Sequence, residues 1–328
     1  MTMRIGIIGA GAWGTALASV AAENGHSIQL WAREPEVVHA ITTTRSNEAF
    51  LPGSVLADSI TATNTIRDLV GCEIILNATP TQHVRSTLID EVVRGAIVVN
   101  VAKGIEIGTH LQVSEIVAQV APSMTSYAVL SGPSHAEEVI LRMPTTVVCA
   151  SSDLNIARTV QTAFSTPAFR VYASDDVIGV EICGSLKNVI AIAAGIVDGL
   201  GLGDNTKAAL ITRGLAEMSR LGVALGADQL TFFGLAGLGD LYVTCASRHS
   251  RNRSVGEQIG KGAFLTEILS SMNAIAEGVT TTKAALELAA TVGIELPITQ
   301  KVAQILFDGV DPRVAIRELM LRPLKSED

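Results

Sequence analysis

The sequence predicts an α/β protein in which a doubly wound, mostly parallel sheet is followed by an all-helical C-terminal domain. In the first half, short β-branched runs alternate with helical stretches, which is typical of an open parallel sheet. After about Ser174 these runs give way to long helical periods. Because 328 residues suffice for two cores, we expect a sheet domain over residues 1–176 and a helical domain over residues 177–328.

The sheet domain opens with a βαβ unit. Residues 3–8 form a short apolar run suited to a buried strand, residues 15–24 read as a helix that ends at Gly25, and residues 27–31 form the second strand. The unit has the usual length of about 30 residues. Further strands are predicted at residues 73–78, 97–101, 127–130 and 146–149, with helices at 82–93 and 111–120.

The helical domain has start and stop signals at its boundaries. Gly293 follows one helix, Pro297 opens the next, and Asp311-Pro312 supplies an N-cap with proline at the first helical position. The predicted helices cover residues 177–197, 206–221, 251–259, 282–292, 298–307 and 312–321.

Composition narrows the function classes. The chain is 48% hydrophobic, only 17% charged, and carries a formal charge of -8. A dedicated nucleic-acid or anionic-membrane binder should be basic, so we expect neither partner. The four cysteines are scattered without a C-x-x-C pair, which predicts buried thiols in a reducing cytoplasm rather than disulfides or a metal site.

The apolar run at residues 5–22 imitates a signal peptide or a membrane span, since it follows Arg4. Four glycines interrupt it in an ordered spacing, and the polar residues 23–25 close it. We therefore expect a soluble chain without a targeting sequence or membrane insertion.

The glycines of that run form a G-x-G-x-x-G motif that follows a strand and opens a helix. Gly9 permits the tight turn, Gly11 lets a pyrophosphate approach the backbone, and Gly14 lets the helix pack on the strand. The phosphates would sit at the positive end of the helix. The motif predicts a bound dinucleotide; a glycine-rich turn without a ligand is the alternative.

The end of the second strand bears on the choice of dinucleotide. An acid there would bind the ribose 2′-hydroxyl of NAD, whereas an arginine suits the 2′-phosphate of NADP. Arg33 stands where the acid usually does, with Glu34 beside it. We expect NADP to be accepted and NAD to remain usable, unless Arg33 is only a surface residue of a loop.

Lys187 interrupts a helix that is otherwise apolar over residues 177–194. Lysine is rarely buried without a partner, so this one is a candidate proton donor and acceptor for a nicotinamide enzyme that interconverts an alcohol and a ketone. The alternative is a lysine that extends out of a domain interface. Asp240, flanked by glycines, either orients the Lys187 ammonium or only caps a helix.

A basic segment at residues 247–253 completes the candidate site. It holds three arginines beside serine and asparagine, and a helix is predicted to begin within it. Guanidinium groups and free N–H groups at a helix start suit an anion. A solvated basic turn is the other interpretation.

Seven segments together resemble the NAD(P)-dependent glycerol-3-phosphate dehydrogenases of bacteria, over nearly the whole chain. They are GAGAWGTALA at residues 9–18, AKGIE at 102–106, SGPSHAE at 131–137, LKNV at 186–189, AALITRGLAEM at 208–218, GLAGLGD at 234–240 and SRNR at 250–253.

The resemblance implies a Rossmann-type N-terminal domain and the reversible reduction of dihydroxyacetone phosphate to glycerol 3-phosphate for phospholipid synthesis, in a cytoplasmic homodimer. It implies that Lys187 is the catalytic acid and base, with Asp240 beside it. The implied substrate-binding residues are Lys103, Gly132, Ser134, Lys187, Asn188, Asp240, Ser250, Arg251 and Asn252. Those implied near the cofactor, besides the three glycines, are Ala12, Trp13, Arg33, Lys103, Ala136, Arg251, Ile275 and Glu277.

Two other functions stay open from the residues alone. A hydroxyacid dehydrogenase of the same two-domain architecture would bind a carboxylate where we expect a phosphate, because arginine binds both. A non-catalytic NAD(P) sensor would have no use for a buried lysine next to an aspartate.

Overall fold

The computed structural model describes residues 2–272, 276–324 and 326. An eight-stranded sheet occupies the N-terminal half and has the order β3-β2-β1-β4-β5-β6-β7-β8. Neighbouring strands are parallel except β6 and β7, which are antiparallel. The strands β1 to β8 are Arg4–Ile8, Ser27–Trp31, Ile60–Thr63, Ile74–Asn77, Ile97–Asn100, Ser126–Ser131, Thr145–Ala150 and Phe169–Ser174.

Helices flank the sheet and then form the rest of the described chain. The α-helices α1 to α15 are Ala12–Glu23, Pro35–Thr44, Val84–Thr87, Asp90–Val93, Val113–Val120, Ala136–Ile140, Leu154–Phe164, Val177–Gly199, Gly203–Ala224, Asp240–Ala246, Arg251–Gly260, Leu265–Ser271, Glu277–Thr291, Pro297–Phe307 and Pro312–Met320. A π-helical turn, Leu235–Gly239, immediately precedes α10.

The predicted fold class is confirmed, and so are the six predicted strands to within a residue or two. Two strands were not predicted. β3 has only four residues, and β8 alternates buried with exposed side chains rather than presenting one apolar run. The single helix predicted over residues 82–93 is wrong, because α3 ends at Thr87 and an extended Leu88-Ile89 separates it from α4.

Helix α8 forms the centre of the helical half. Every residue from Gly179 to Val197 is buried, although this stretch includes Glu181, Lys187 and Asn188. By length and composition α8 could cross a membrane, but 89% of its most apolar window is buried inside the fold. A helix that is apolar on all sides and surrounded by protein is typical of a domain core.

Helices α8 and α11 cross with their backbones in contact. A Cβ atom on Gly195 would collide with the carbonyl of Arg253, and one on Gly256 would collide with the carbonyl of Ile192. Glycine at both positions therefore lets the two helices pack closely, and any larger residue would push them apart. This crossing brings the start of α11 next to the middle of α8.

Candidate active site

The strand order reverses beside β1, which lies between β2 and β4. Ligands of open α/β sheets bind outside the carboxyl ends of the strands at such a point. Gly9 follows β1 with φ at 115°, and a Cβ atom there would lie 2.9 Å from the carbonyl oxygen of Ala78. The first predicted glycine therefore makes the turn that leads into α1.

The other two glycines fit a dinucleotide in the predicted way. A Cβ atom on Gly14 would collide with the carbonyl of Gly9, so the close approach of helix and strand requires glycine. A Cβ atom on Gly11 would meet nothing within 4 Å, which leaves open space above that backbone. Gly11 is also the N-cap of α1 and makes no side-chain cap. Uncapped N–H groups facing open space suit a pyrophosphate.

A cleft of about 210 Å³ runs from the start of α1 to the helical half. It collects most of the predicted site residues on one surface. The predicted residues that line it are Ala12, Trp13, Lys103, Ser134, Ala136, Lys187, Asn188, Ser250, Arg251, Asn252 and Glu277. Residues from both halves of the chain thus share one cavity, as the sequence predicted.

Lys187, which lines this cleft, is in direct contact with Asp240. The Lys187 Nζ donates to Asp240 Oδ1 at 2.5 Å and to Thr244 Oγ1 at 2.8 Å. The other oxygen of Asp240 accepts from Lys103 Nζ at 2.8 Å. Asp240 is the first residue of α10, and Gly239 stands at the cap position. The N-cap interpretation of Asp240 is therefore wrong, and its carboxylate serves two lysines.

Burial and charge set the protonation of these groups. Burial lowers the pKa of Lys187 to about 8, against the opposing attraction of Asp240. Burial alone would raise the pKa of Asp240, but the two ammonium groups outweigh it and hold that pKa below its ordinary value. An ammonium with a pKa near neutrality, beside a permanent carboxylate, is suited to proton transfer.

A chain of amide contacts links α8 to α11 and α13. The Asn252 Nδ2 donates to Asn188 Oδ1 at 3.0 Å, and Asn252 Oδ1 accepts from the Gly278 N–H at 2.9 Å. The Asn188 amide in turn donates to the Lys103 carbonyl at 3.2 Å. Asn188 and Asn252 are therefore oriented by the protein itself.

The basic segment contributes one of its arginines to the cleft. Arg251 lines the cavity at the first turn of α11, where the Ser250 side chain accepts from the Arg253 N–H. The Arg253 guanidinium instead pairs with Asp198 at 2.6 Å and with Glu257 at 3.2 Å. The expectation of a three-arginine anion site is wrong for Arg253, whose side chain holds the start of α11 against α8.

Arg33 and Glu277, both predicted to lie near the cofactor, have different surroundings. Arg33 follows β2, with a side chain 80% exposed and paired with Glu34 at 2.7 Å. Glu277, at the start of α13, accepts from the Thr81 N–H at 3.0 Å, and burial raises its pKa. Ile275, which the resemblance placed near the cofactor, lies outside the described residues.

Some placements are indirect. Gly132 does not line the cleft, but its carbonyl accepts from Ser134 Oγ at 2.9 Å and contacts Lys103 Nζ at 3.4 Å. Sequence reasoning missed five lining residues, which are Val101, His135, Glu137, Thr244 and His249. Their only sequence signal was that each lies within or beside a motif already singled out.

The chain matches two family models that together span most of it. They are described as the NAD-dependent glycerol-3-phosphate dehydrogenase N-terminus, over residues 4–157, and C-terminus, over residues 176–317. It belongs to the NAD-dependent glycerol-3-phosphate dehydrogenase family. The family predicted from the seven segments is thereby confirmed.

Relatives and solved structures agree with this membership. A glycerol-3-phosphate dehydrogenase [NAD(P)+] from Chlorobium phaeobacteroides is 52% identical over 99% of both chains, and one from Geobacillus kaustophilus is 52% identical over 98% of this chain and 96% of its own. The crystal structure of glycerol-3-phosphate dehydrogenase from Coxiella burnetii has a TM-score of 0.90 at 38% identity, covering 98% and 99% of the two chains.

The same comparisons confirm the predicted enzyme class and cofactor type, an NAD(P)-dependent oxidoreductase acting on a CH–OH group. The comparisons do not support the hydroxyacid alternative. A D-mandelate dehydrogenase structure reaches a TM-score of 0.61 at only 12% identity, a likeness that shows the fold alone.

Proposed function

We propose that this chain is an NAD(P)-dependent sn-glycerol-3-phosphate dehydrogenase that reversibly reduces dihydroxyacetone phosphate. The observation that carries the proposal is Lys187, a buried ammonium that is paired with Asp240 and lines a cleft. The first residues after the dinucleotide turn and an arginine at a helix start line the same cleft. These three parts would bind the cofactor, transfer the proton and bind the substrate phosphate.

The residues present fit the cofactor. Gly9, Gly11 and Gly14 would hold its pyrophosphate at α1, with Ala12 and Trp13 in the first turn and Arg33 at the ribose end. The other residues that we expect near the cofactor are Lys103, Ala136, Arg251, Ile275 and Glu277. When bound, the cofactor supplies a hydride to C2 of the ketone.

Lys187 would supply the matching proton. As the C2 carbonyl becomes an alkoxide, the Lys187 ammonium stabilises the developing charge and transfers one proton from Nζ to that oxygen. The lysine is left neutral, and Asp240 and Thr244 keep Nζ in place. In alcohol oxidation the neutral amine takes the hydroxyl proton, so one residue serves both directions.

The substrate phosphate would bind at the start of α11. Arg251 offers a bidentate donor, and the first N–H groups of a helix have no partner within it. Ser250, Asn252, Ser134, Gly132 and Asn188 complete the proposed substrate contacts. Fixing the phosphate orients the carbonyl towards Lys187, which is a proximity effect.

We place the enzyme in the cytoplasm as a homodimer without membrane insertion, where its product would supply phospholipid synthesis. The free, buried state of all four cysteines is compatible with a reducing compartment. We also propose that the sheet domain spans residues 1–176 and the helical domain residues 177–328, since β8 ends at Ser174 and α8 begins at Val177.

One assay tests the activity. Purified protein is given dihydroxyacetone phosphate with NADPH or NADH, and cofactor oxidation is followed. A parallel panel replaces the substrate with 2-oxo acids of similar size. We expect turnover with dihydroxyacetone phosphate in preference to every 2-oxo acid. Turnover of a carboxylated ketone alone would instead support a hydroxyacid dehydrogenase.

A further inference from the structure

Three polar side chains that line the cleft, His135, Glu137 and His249, are used by none of the steps above. His135 lines the cavity beside Ser134, and its Nε2 atom is buried without a hydrogen-bond partner among the described residues. Its ring contacts that of His249, with 5.7 Å between centroids. The backbone is fixed, because the His135 carbonyl accepts from Glu138 and Val139 at the start of α6. A histidine with a held backbone and an unsatisfied, buried ring nitrogen is suited to a ligand.

Four other polar side chains that line the cleft already have partners within the protein. Lys103, Lys187 and Thr244 converge on Asp240, and Ser134 donates to a backbone carbonyl. Burial and the nearby Lys187 ammonium lower the pKa of His135, so the ring is neutral at neutral pH. A neutral imidazole both donates and accepts a hydrogen bond, which suits a hydroxyl group.

Dihydroxyacetone phosphate has three polar parts. Its phosphate is assigned to the start of α11 and its carbonyl to Lys187, whereas no residue has been assigned specifically to the primary hydroxyl on C1. We propose that His135 is a specificity-determining residue whose imidazole hydrogen-bonds this hydroxyl. The assignment rests on the proposed function and adds to it the group that recognises the far end of the substrate.

The test compares dihydroxyacetone phosphate with hydroxyacetone phosphate, which lacks only the C1 hydroxyl. The measured quantity is the preference ratio, kcat/KM for the first substrate divided by that for the second. In His135→Phe, which keeps a planar ring but no nitrogen, we expect kcat/KM for dihydroxyacetone phosphate to fall about tenfold. The kcat/KM for hydroxyacetone phosphate should change less than about threefold. The preference ratio should therefore fall.

Matched variants make the result decisive. His135→Gln keeps a donor and an acceptor and should retain part of the preference, whereas His39→Gln removes an exposed histidine on α2 and should leave the ratio unchanged. Equal losses for both substrates, or no loss for either, would overturn the proposal.

If His135→Phe does not fold, the same ratio in His135→Ala decides. Absence of wild-type turnover with dihydroxyacetone phosphate would refute the proposed function, and this assignment with it.

Discussion

Two cationic residues with predicted roles, Lys187 and Arg33, lie in opposite surroundings. Lys187 is 6% exposed and bound by a carboxylate and a hydroxyl, whereas the side chain of Arg33 is 80% exposed and, among the described residues, pairs only with the adjacent Glu34. Burial lowers the pKa of Lys187. The side chain of Arg33 is in solvent, where it can reach a ligand without any change in its surroundings. We therefore expect the chemical step to depend on Lys187 and the choice between NADP and NAD to depend on Arg33.

The sharpest test of this contrast removes the buried ammonium. In Lys187→Ala we expect kcat to fall roughly 10²- to 10⁴-fold, the usual contribution of a positioned acid or base. The fold should persist, because Asp240 keeps Lys103 as a partner at 2.8 Å. The rate of NADPH oxidation and the circular dichroism spectrum measure the two effects. Lys261→Ala, at an exposed lysine of the same half, is the control. Turnover within tenfold of the wild type would contradict the role of Lys187.

Arg251 should affect binding more than chemistry. Loss of a charge-assisted contact predicts that Arg251→Ala raises KM for dihydroxyacetone phosphate about 10- to 100-fold, with kcat changed only a few-fold. Arg248→Ala removes a nearby exposed arginine that does not line the cleft and should leave KM unchanged. A loss confined to kcat would remove Arg251 from the phosphate site.

The pH dependence of kcat should report the protonation state of the buried Lys187 directly. Because the pKa of Lys187 is lowered to about 8, the ammonium needed for ketone reduction is present below pH 8 and lost above it. The kcat for reduction should therefore fall about tenfold per pH unit above that value. The kcat for alcohol oxidation should rise up to about pH 8 and then level off. Profiles that bend only near the ordinary lysine value would show that the amine is not buried in the working enzyme.

We expect the smallest change in kcat/KM from a substitution at the exposed Arg33. In Arg33→Ala we expect kcat/KM with NADPH to fall about three- to tenfold, since screened surface charges contribute little. The value with NADH should stay within a factor of about two, because no 2′-phosphate is present. Arg67→Ala, another exposed arginine of the sheet half, controls for the change in net charge. Equal losses with both cofactors would show that Arg33 does not discriminate between them.

Sequence reasoning was most successful where the signal is local. The glycine turn after β1, the six apolar strands and the helix that begins at Arg251 all follow from short-range spacing. β8 escaped prediction because its buried and exposed residues alternate at the sheet edge, and α3 and α4 because extended residues interrupt an apparently helical run.

Contacts between distant segments were beyond that reasoning. Lys103 and Asp240 are 137 residues apart, and nothing in either motif alone indicates that one carboxylate serves two lysines. Likewise, three arginines in one segment looked equivalent, yet the position of Asp198 on α8 turns Arg253 away from the cleft. Which partner each of these side chains contacts depends on tertiary packing, and tertiary packing cannot be deduced from a single sequence.

The crossing of α8 and α11 has one more consequence. Because their backbones touch at Gly195 and Gly256, neither helix can shift without displacing the other. Lys187 and the first turn of α11 thus belong to one stiff unit, and the gap between them is set before any substrate arrives. Such a unit accepts only a fixed number of carbon atoms between the reacting oxygen and the phosphate. A homologue of the substrate lengthened by one methylene would engage one end or the other, but not both.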